Sequence, residues 1–218
     1  VYLSRHRKSD VTKLRLSLST LDINFNDRFH YPVIVFHEKL TPDMQTSIRE
    51  STRSSIIFQQ VAFDTPDSID KNKTIESTDM ARFPLGYRHI CRFFSGTIYS
   101  QPILRQYRWY WRLDTDSLLL SKIDYDVFSF MEYSDYLYGY IAVLQEPAEV
   151  VTDLWRYTEE YVQKNAIKTH FPDKFLTNKK WTRHYYYTNF EISKLDFWQS
   201  GEYAKYFDYL DQLGGIYE

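Results

Sequence analysis

The stretch Trp109-Tyr110-Trp111-Arg112-Leu113-Asp114-Thr115-Asp116 decides how this chain is read. Its first five residues have the aromatic, apolar character of a buried strand. Two carboxylates, one residue apart, follow at once. In open α/β sheets, ligands gather beyond the carboxyl ends of the strands. Two aspartates at such an edge suit a divalent cation, and a cation there suits a diphosphate. The pattern therefore points to a metal-dependent site for a nucleotide-sugar. The triplet by itself carries no weight, because a second one, Asp124-Tyr125-Asp126, lies close by. That one precedes the apolar run Val127-Phe128-Ser129-Phe130-Met131 instead of following one, and reads as a turn or helix cap.

Working outward, the flanking sequence alternates strand and helix signals, the mark of an α/β fold. Val1 to Ser4 reads as the last part of a first strand. The basic cluster Arg5-His6-Arg7-Lys8 ends it, as a solvated turn or as a nucleotide or phosphate contact. From Ser9, taken as an N-cap, to Phe25, residues Val11, Leu14, Leu18 and Leu21 recur at helical spacing. Tyr31 to Phe36 is a compact strand. His37-Glu38 follows it, a pair able to ligate a metal, although a histidine there is more often simply hydrogen-bonded. Thr41-Pro42 opens a helix running to about Thr52, and Ser55 to Phe63 is another strand. Residues 64–80 form a polar loop, a lid or disordered segment, carrying the sequon Asn72-Lys73-Thr74.

Phe83 to Arg105 is helical in pattern, with breaks near Ser95-Gly96 and at Pro102. Arg88, His89 and Arg92 share one flank of it, either as a solvated basic face or as a diphosphate clamp. Beyond the central stretch, Tyr138 to Leu144 reads as one strand with Glu146 just past its end. Glu149 to Val162 reads as a helix, and Lys164 to Arg183 is basic, polar and irregular. Tyr185 to Ile192 is a dense aromatic run holding one acid, Glu191. Such an acid is either paired and structural or raised in pKa and catalytic. From Ser200 an amphipathic helix runs to a stop at Gly214.

The bulk figures narrow the field. At 218 residues the chain suits one domain, or one and a half at most. A net charge of −2 points away from nucleic acid and from anionic membranes. The single cysteine, Cys91, excludes an internal disulfide and a cysteine-based zinc site. No apolar run approaches the ~20 residues that span a bilayer. Aromatic residues reach 18%, with 20 tyrosines; composition alone favours half-buried core over sugar stacking. The chain opens inside a strand and ends without a tail, as expected of a trimmed fragment, so absent targeting signals carry little weight.

Taken in order, several blocks resemble the fungal-type α-1,2-mannosyltransferases of glycosyltransferase family 15. Gly86-Tyr87-Arg88-His89-Ile90-Cys91-Arg92-Phe93-Phe94-Ser95-Gly96 is similar to the family's Tyr-Arg-His-x-Cys-Arg-Phe block. Tyr110 to Asp116 is similar to its Tyr-Trp-Arg-x-Glu-Pro-Asp block. Asn189-Phe190-Glu191-Ile192, Leu195-Asp196-Phe197-Trp198, Tyr206 to Asp211 and Gly214-Gly215 follow in the family's order and spacing.

The resemblance implies a single α/β domain of GT-A type over residues 1–218, with a mixed, mainly parallel central sheet flanked by helices. It implies GDP-mannose as donor, Mn²⁺ as cofactor, and transfer with retention to the 2-hydroxyl of a mannoside or glycoprotein glycan. It also implies a Golgi lumenal location, with a membrane anchor outside this chain. By position, Asp114 and Asp116 match the metal-binding acids, Tyr87 a tyrosine near the reacting sugar, Glu191 the nucleophile and Arg5 a nucleotide contact. Arg88, Arg92 and Arg112 are candidates to share the diphosphate charge. The sequence departs from the family where Asp114-Thr115 replaces Glu-Pro. The family's histidine metal ligand falls beyond Glu218. Two other readings stay open: a non-catalytic nucleotide-sugar or glycan binder on the same fold, and a transferase using another nucleotide-sugar.

Overall fold

The computed structural model describes residues 1–66, 69, 83–168, 174–178 and 180–217. The sequon and nearly all of the polar loop lie outside the described residues. In chain order the first elements are β1 (Tyr2–Ser4), α1 (Lys8–Leu21), α2 (Asp27–Phe29), β2 (Val33–His37), α3 (Pro42–Arg49), β3 (Ile56–Gln60), α4 (Leu85–Arg92) and β4 (Trp109–Leu113). Then come α5 (Val127–Tyr133), β5 (Tyr138–Tyr140), β6 (Val143–Gln145), α6 (Leu154–Lys164), β7 (Leu176–Thr177), β8 (Lys180–Trp181), β9 (His184–Tyr186), β10 (Phe190–Lys194), α7 (Leu195–Gln199) and α8 (Gly201–Leu213). Contacts gather into two compact units. The first comprises Val1–Phe63, Trp109–Ile141 and Tyr187–Lys194; the second holds the remainder.

In the first unit, β1-β2-β3 form a parallel sheet and β4-β10-β5 an antiparallel one. Val1 joins them: its N–H donates to the Trp111 carbonyl at 2.6 Å, and the Leu113 N–H donates to the Val1 carbonyl at 3.1 Å. The sheet is mixed, with its antiparallel part confined to β4, β10 and β5. All five residues of β2 are buried, as suits a strand covered on both faces. Val11, Leu14, Leu18 and Leu21 of α1 pack into one core with Tyr2, Val33, Val35, Trp111, Leu113 and Ile192.

Two local expectations need correction. Helix α1 begins at Lys8, with Arg7 in the cap position and no side-chain cap bond, so Ser9 is inside the helix. Beyond Leu21 the helix widens into a π-helical turn, Asp22–Asn26. Its buried acid Asp22 accepts from the Thr52 hydroxyl at 2.7 Å, the Arg53 N–H at 2.7 Å and the Ser54 hydroxyl at 2.5 Å. A buried carboxylate is tolerable only when so satisfied, and this one fastens the end of α1 to the start of β3. Helix α3 begins as expected, with the Thr41 hydroxyl accepting from the Met44 N–H. His37 is buried, its Nδ1 accepting from the Leu40 N–H at 3.2 Å, which is the plain hydrogen-bonded alternative.

In the second unit, α4 runs into a π-helical turn, Phe93–Thr97, and a 3-10 turn, Pro102–Gln106, follows. These are the breaks expected near Ser95-Gly96 and at Pro102. β6 pairs with β9 and β7 with β8, both antiparallel. The run Tyr138 to Leu144 is therefore two strands in two sheets, not one. Its two halves take different partners, a choice that local apolar character does not encode. Helix α8 stops at Gly214, whose φ of 78° is a left-handed conformation natural to glycine.

Candidate active site

The site begins with the alternation of β4 and β10. Successive strand side chains point to opposite faces. Trp111, Leu113 and Ile192 enter the core, with the rings of Phe25 and Phe190 edge-on to Trp111 at centroid distances of 5.1 and 5.0 Å. The other face carries Tyr110, Arg112 and Glu191. Glu191 is directly opposite Arg112 on β4 and Tyr140 on β5, while Tyr110 and Tyr138 both pair with Ser193. Two residues along from Glu191 on each side, these tyrosines reach it diagonally. The Tyr110 hydroxyl donates to Glu191 Oε1 and the Tyr138 hydroxyl to Oε2, each at 2.6 Å.

Glu191 is 3% exposed. Burial pushes its carboxyl up, more than the two phenol bonds and the Arg112 charge draw it down, leaving it above the usual glutamate range. The phenols thus stabilise an ionised form that burial opposes.

At the exit of β4, Asp114 is partly buried and meets the Arg112 guanidinium at 3.2 Å. Among the described residues, no other donor reaches its carboxylate. Burial raises its pKa despite Arg112, and Asp116 adds to the rise. Asp116 is exposed and pairs with Lys13 at 3.1 Å.

The loop carrying Asp116 is strapped to one polar stripe of α1 and the turn after it. Lys13 meets Asp116. The Ser17 hydroxyl donates to the Ser117 carbonyl at 2.5 Å, the Thr20 hydroxyl accepts from the Leu119 N–H at 3.2 Å, and the Asn24 amide donates to the Leu119 carbonyl at 2.6 Å. Steps of four, three and four residues follow one helix flank, so the stripe fixes the path of residues 116–119. The apolar stripe of this helix marks only its core-facing side. The polar spacing Lys13, Ser17, Thr20, Asn24 was the signal available for the rest.

The remaining candidates divide. Arg5, just past β1, meets the buried Asp10 carboxylate, Nε to Oδ2, at 3.1 Å. Tyr87, Arg88 and Arg92 belong to the second unit. Tyr87 is half exposed, its ring stacked on Phe83 at 5.4 Å. Arg88 is buried; its Nη1 donates to the Tyr217 carbonyl at 2.6 Å and its Nε to the Phe83 carbonyl at 3.0 Å. Arg92 holds Asp211 through two bonds of 2.6 and 2.8 Å. The solvated basic face is therefore not what forms, because both guanidiniums are engaged within the chain.

The family model described as glycolipid 2-alpha-mannosyltransferase matches residues 1–218. The chain belongs to this family. It is 32% identical to the "Probable mannosyltransferase KTR3" of Saccharomyces cerevisiae, over 100% of this chain and 58% of that protein. It is 30% identical to the O-glycoside alpha-1,2-mannosyltransferase omh1 of Schizosaccharomyces pombe, over 99% and 60%. Among solved structures, core-mannan synthase A (CmsA/Ktr4) from Aspergillus fumigatus, in its Mn/GDP form, superposes with a TM-score of 0.90 at 27% identity, covering 99% of this chain and 64% of that one. The chain thus spans about three fifths of the length of the curated relatives it matches. The fold is the GT-A type expected, α/β with a mixed sheet.

For a member of the mannosyltransferase family the donor set at β4 is chemically apt. Asp114 and Asp116 offer the hard oxygens that Mg²⁺ or Mn²⁺ prefers. A cation would offset the burial that now opposes Asp114's charge. Among the described residues, no group of three or more acidic, histidine or cysteine side chains could hold a metal ion. Among the described residues, too, no helix is long and apolar enough to cross a membrane.

Proposed function

We propose that the chain is the catalytic part of a retaining α-1,2-mannosyltransferase. It takes mannose from GDP-mannose and transfers it to the 2-hydroxyl of a mannoside or glycan. The observation that carries the reading is Glu191: a buried carboxylate, gripped on both oxygens by phenols, on the same sheet face as Arg112 and near the strand exit that bears Asp114. Membership of the family and the Mn/GDP form of its Aspergillus relative support this choice of donor and metal.

In this reading Asp114 and Asp116 hold a Mn²⁺ ion. When bound, the ion neutralises charge building on the leaving diphosphate. Arg112, tied to Asp114, adds a fixed positive charge beside it, and Arg5 contacts the nucleotide from the end of β1. Arg88 and Arg92 use their donors within the second unit, which favours an anchoring role for them over a diphosphate clamp. Glu191 faces the sugar as it approaches an oxocarbenium-like state: as nucleophile it gives retention by double displacement, and as ion-pair partner it does so when the acceptor attacks from the leaving-group side. Each of its oxygens keeps a lone pair beyond the one its tyrosine uses. The α1 stripe holds the loop of Asp116 in register. The setting that goes with this chemistry is the Golgi lumen, with a membrane anchor outside the chain.

The test is turnover of GDP-mannose with methyl α-mannoside and Mn²⁺, the product linkage read by NMR. An α-1,2 product is expected, falling off on the acid side through a pKa above the ordinary glutamate value near 4.3, because the ionised form of Glu191 is required. Glu191→Gln should keep GDP binding and lose transfer by about a thousandfold or more. GDP binding without any product would instead identify a binder on the same fold.

A further inference from the structure

The second unit contains a cavity that none of this chemistry uses. It measures about 560 Å³, inside the ~300–1,000 Å³ range of small-molecule sites. Its wall comes from α7, α8 and the segment that follows α4. Tyr99, Trp198, Tyr203 and Phe207 supply its aromatic surface. Tyr99 and Trp198 stack with centroids 4.9 Å apart and planes 4° from parallel, and Tyr203 stands edge-on to Trp198 at 4.5 Å.

The wall is pre-formed. Tyr203 donates to the Ser95 carbonyl at 2.7 Å, the Gln199 amide donates to the Tyr99 carbonyl at 3.0 Å, and Arg92 and Asp211 lock each other. Phe207 lies so close to Gly96 that a Cβ there would sit 2.3 Å from its ring, so the π-helical turn and α8 meet at a position only glycine suits.

The charges at the wall decide the class of ligand. Arg92 and Asp211 cancel. Arg105 and Asp208, both exposed, also line the cavity, and their side chains make no hydrogen bond among the described residues. The sum is zero, which disfavours a phosphate or other strong anion. What remains is one planar donor fork and one acceptor pair over an aromatic wall. That combination suits a neutral ring with apolar C–H faces and many hydroxyls.

We propose that this cavity is a glycan subsite that binds a short, neutral mannose oligosaccharide. It rests on the mannosyltransferase reading above, which supplies the class of sugar. The subsite makes affinity depend on acceptor length, while single-sugar acceptors react without it.

The test uses the protein with methyl α-mannoside and with α-linked mannose oligomers of two to four residues, in binding titrations without donor and in transfer assays. Longer oligomers should bind more tightly. Asp208→Asn and Arg105→Ala should each weaken oligomer binding about tenfold, the loss expected for one charge-assisted hydrogen bond. Both should leave turnover of methyl α-mannoside unchanged. Trp198→Phe keeps an aromatic ring against Tyr99 and should weaken oligomers in the same way, and circular dichroism checks that it folds. The proposal is overturned if affinity does not grow with length, if neither polar variant discriminates long from short acceptors, or if glucose oligomers or sugar phosphates bind more tightly. Transfer to methyl α-mannoside without length dependence removes the subsite and leaves the transferase reading. Length-dependent binding without transfer does the opposite.

Discussion

The two Asp-x-Asp triplets have the same spelling and opposite fates. Asp114-Thr115-Asp116 leaves the end of β4, whereas Asp124-Tyr125-Asp126 runs into the start of α5. Asp126 is the N-cap, accepting from the Phe128 N–H at 3.0 Å, the Ser129 N–H at 3.4 Å, the Ser129 hydroxyl at 2.7 Å and the Tyr31 hydroxyl at 2.8 Å. Burial pushes its carboxyl up, but these donors outweigh burial, and it titrates below the usual aspartate range. Asp114 has one guanidinium and burial, and titrates above that range. An acid supplied with donors by its own fold is structural. An acid desolvated without enough donors has room for a charged ligand.

The largest effect that would break this contrast is on activity at the first triplet. Asp114→Asn keeps the side-chain shape and removes the charge. It should lower GDP-mannose turnover about a thousandfold, since several kcal/mol of transition-state charge stabilisation go with the cation. Stability should move by no more than about 1 kcal/mol, or roughly 2–4 °C in melting temperature for a chain of this size. Turnover within a few-fold of the parent in saturating Mn²⁺ would remove Asp114 from the metal.

The second effect lies in stability, at the second triplet. Asp126→Ala should cost about 1–2 kcal/mol through loss of the cap, read as a lower urea midpoint, with turnover unchanged per folded molecule. Its pH dependence has a fixed sign. Because the folded pKa lies below the unfolded one, the contribution is complete above about pH 4 and is lost as pH falls through the folded value. Parent and variant should therefore converge in strong acid and separate near neutrality. A gap that widened on acidification would reverse the assignment.

Much of this was legible in the chain, because it is local. The strand β4 with acids at its exit, the Thr41 cap of α3, the cap at Asp126 and the glycine stop of α8 are each written within a few residues. The blocks from Gly86 to Gly215 carried the family. Non-local features were hidden. The partner phenol Tyr110 lies 81 residues from Glu191, and only strand register brings them together. The split of Tyr138 to Leu144 has the same origin, since β5 joins β10 and β6 joins β9. The polar stripe on α1 was visible as spacing, but its meaning depends on a loop some hundred residues away. Arg88 and Arg92 show a further limit. Their spacing put them on one flank, but the Tyr217 carbonyl and Asp211 that engage them come from the far end of the sequence.

The smallest effect is the sharpest control, because it separates position from composition. Asp124 is the first acid of the second triplet, as Asp114 is of the first. Its backbone carbonyl accepts from Arg28 at 2.5 Å, while its exposed side chain makes no hydrogen bond among the described residues. Truncation at Asp124→Ala leaves that backbone bond in place. The change should therefore alter neither turnover nor the urea midpoint beyond about 0.5 kcal/mol, the ordinary range for an exposed substitution. A triplet that bound metal by its spelling alone would not tolerate this loss. If Asp124→Ala lowered Mn²⁺-dependent turnover as Asp114→Asn does, the cation would have to be sought at α5, and the strand exit would lose its claim.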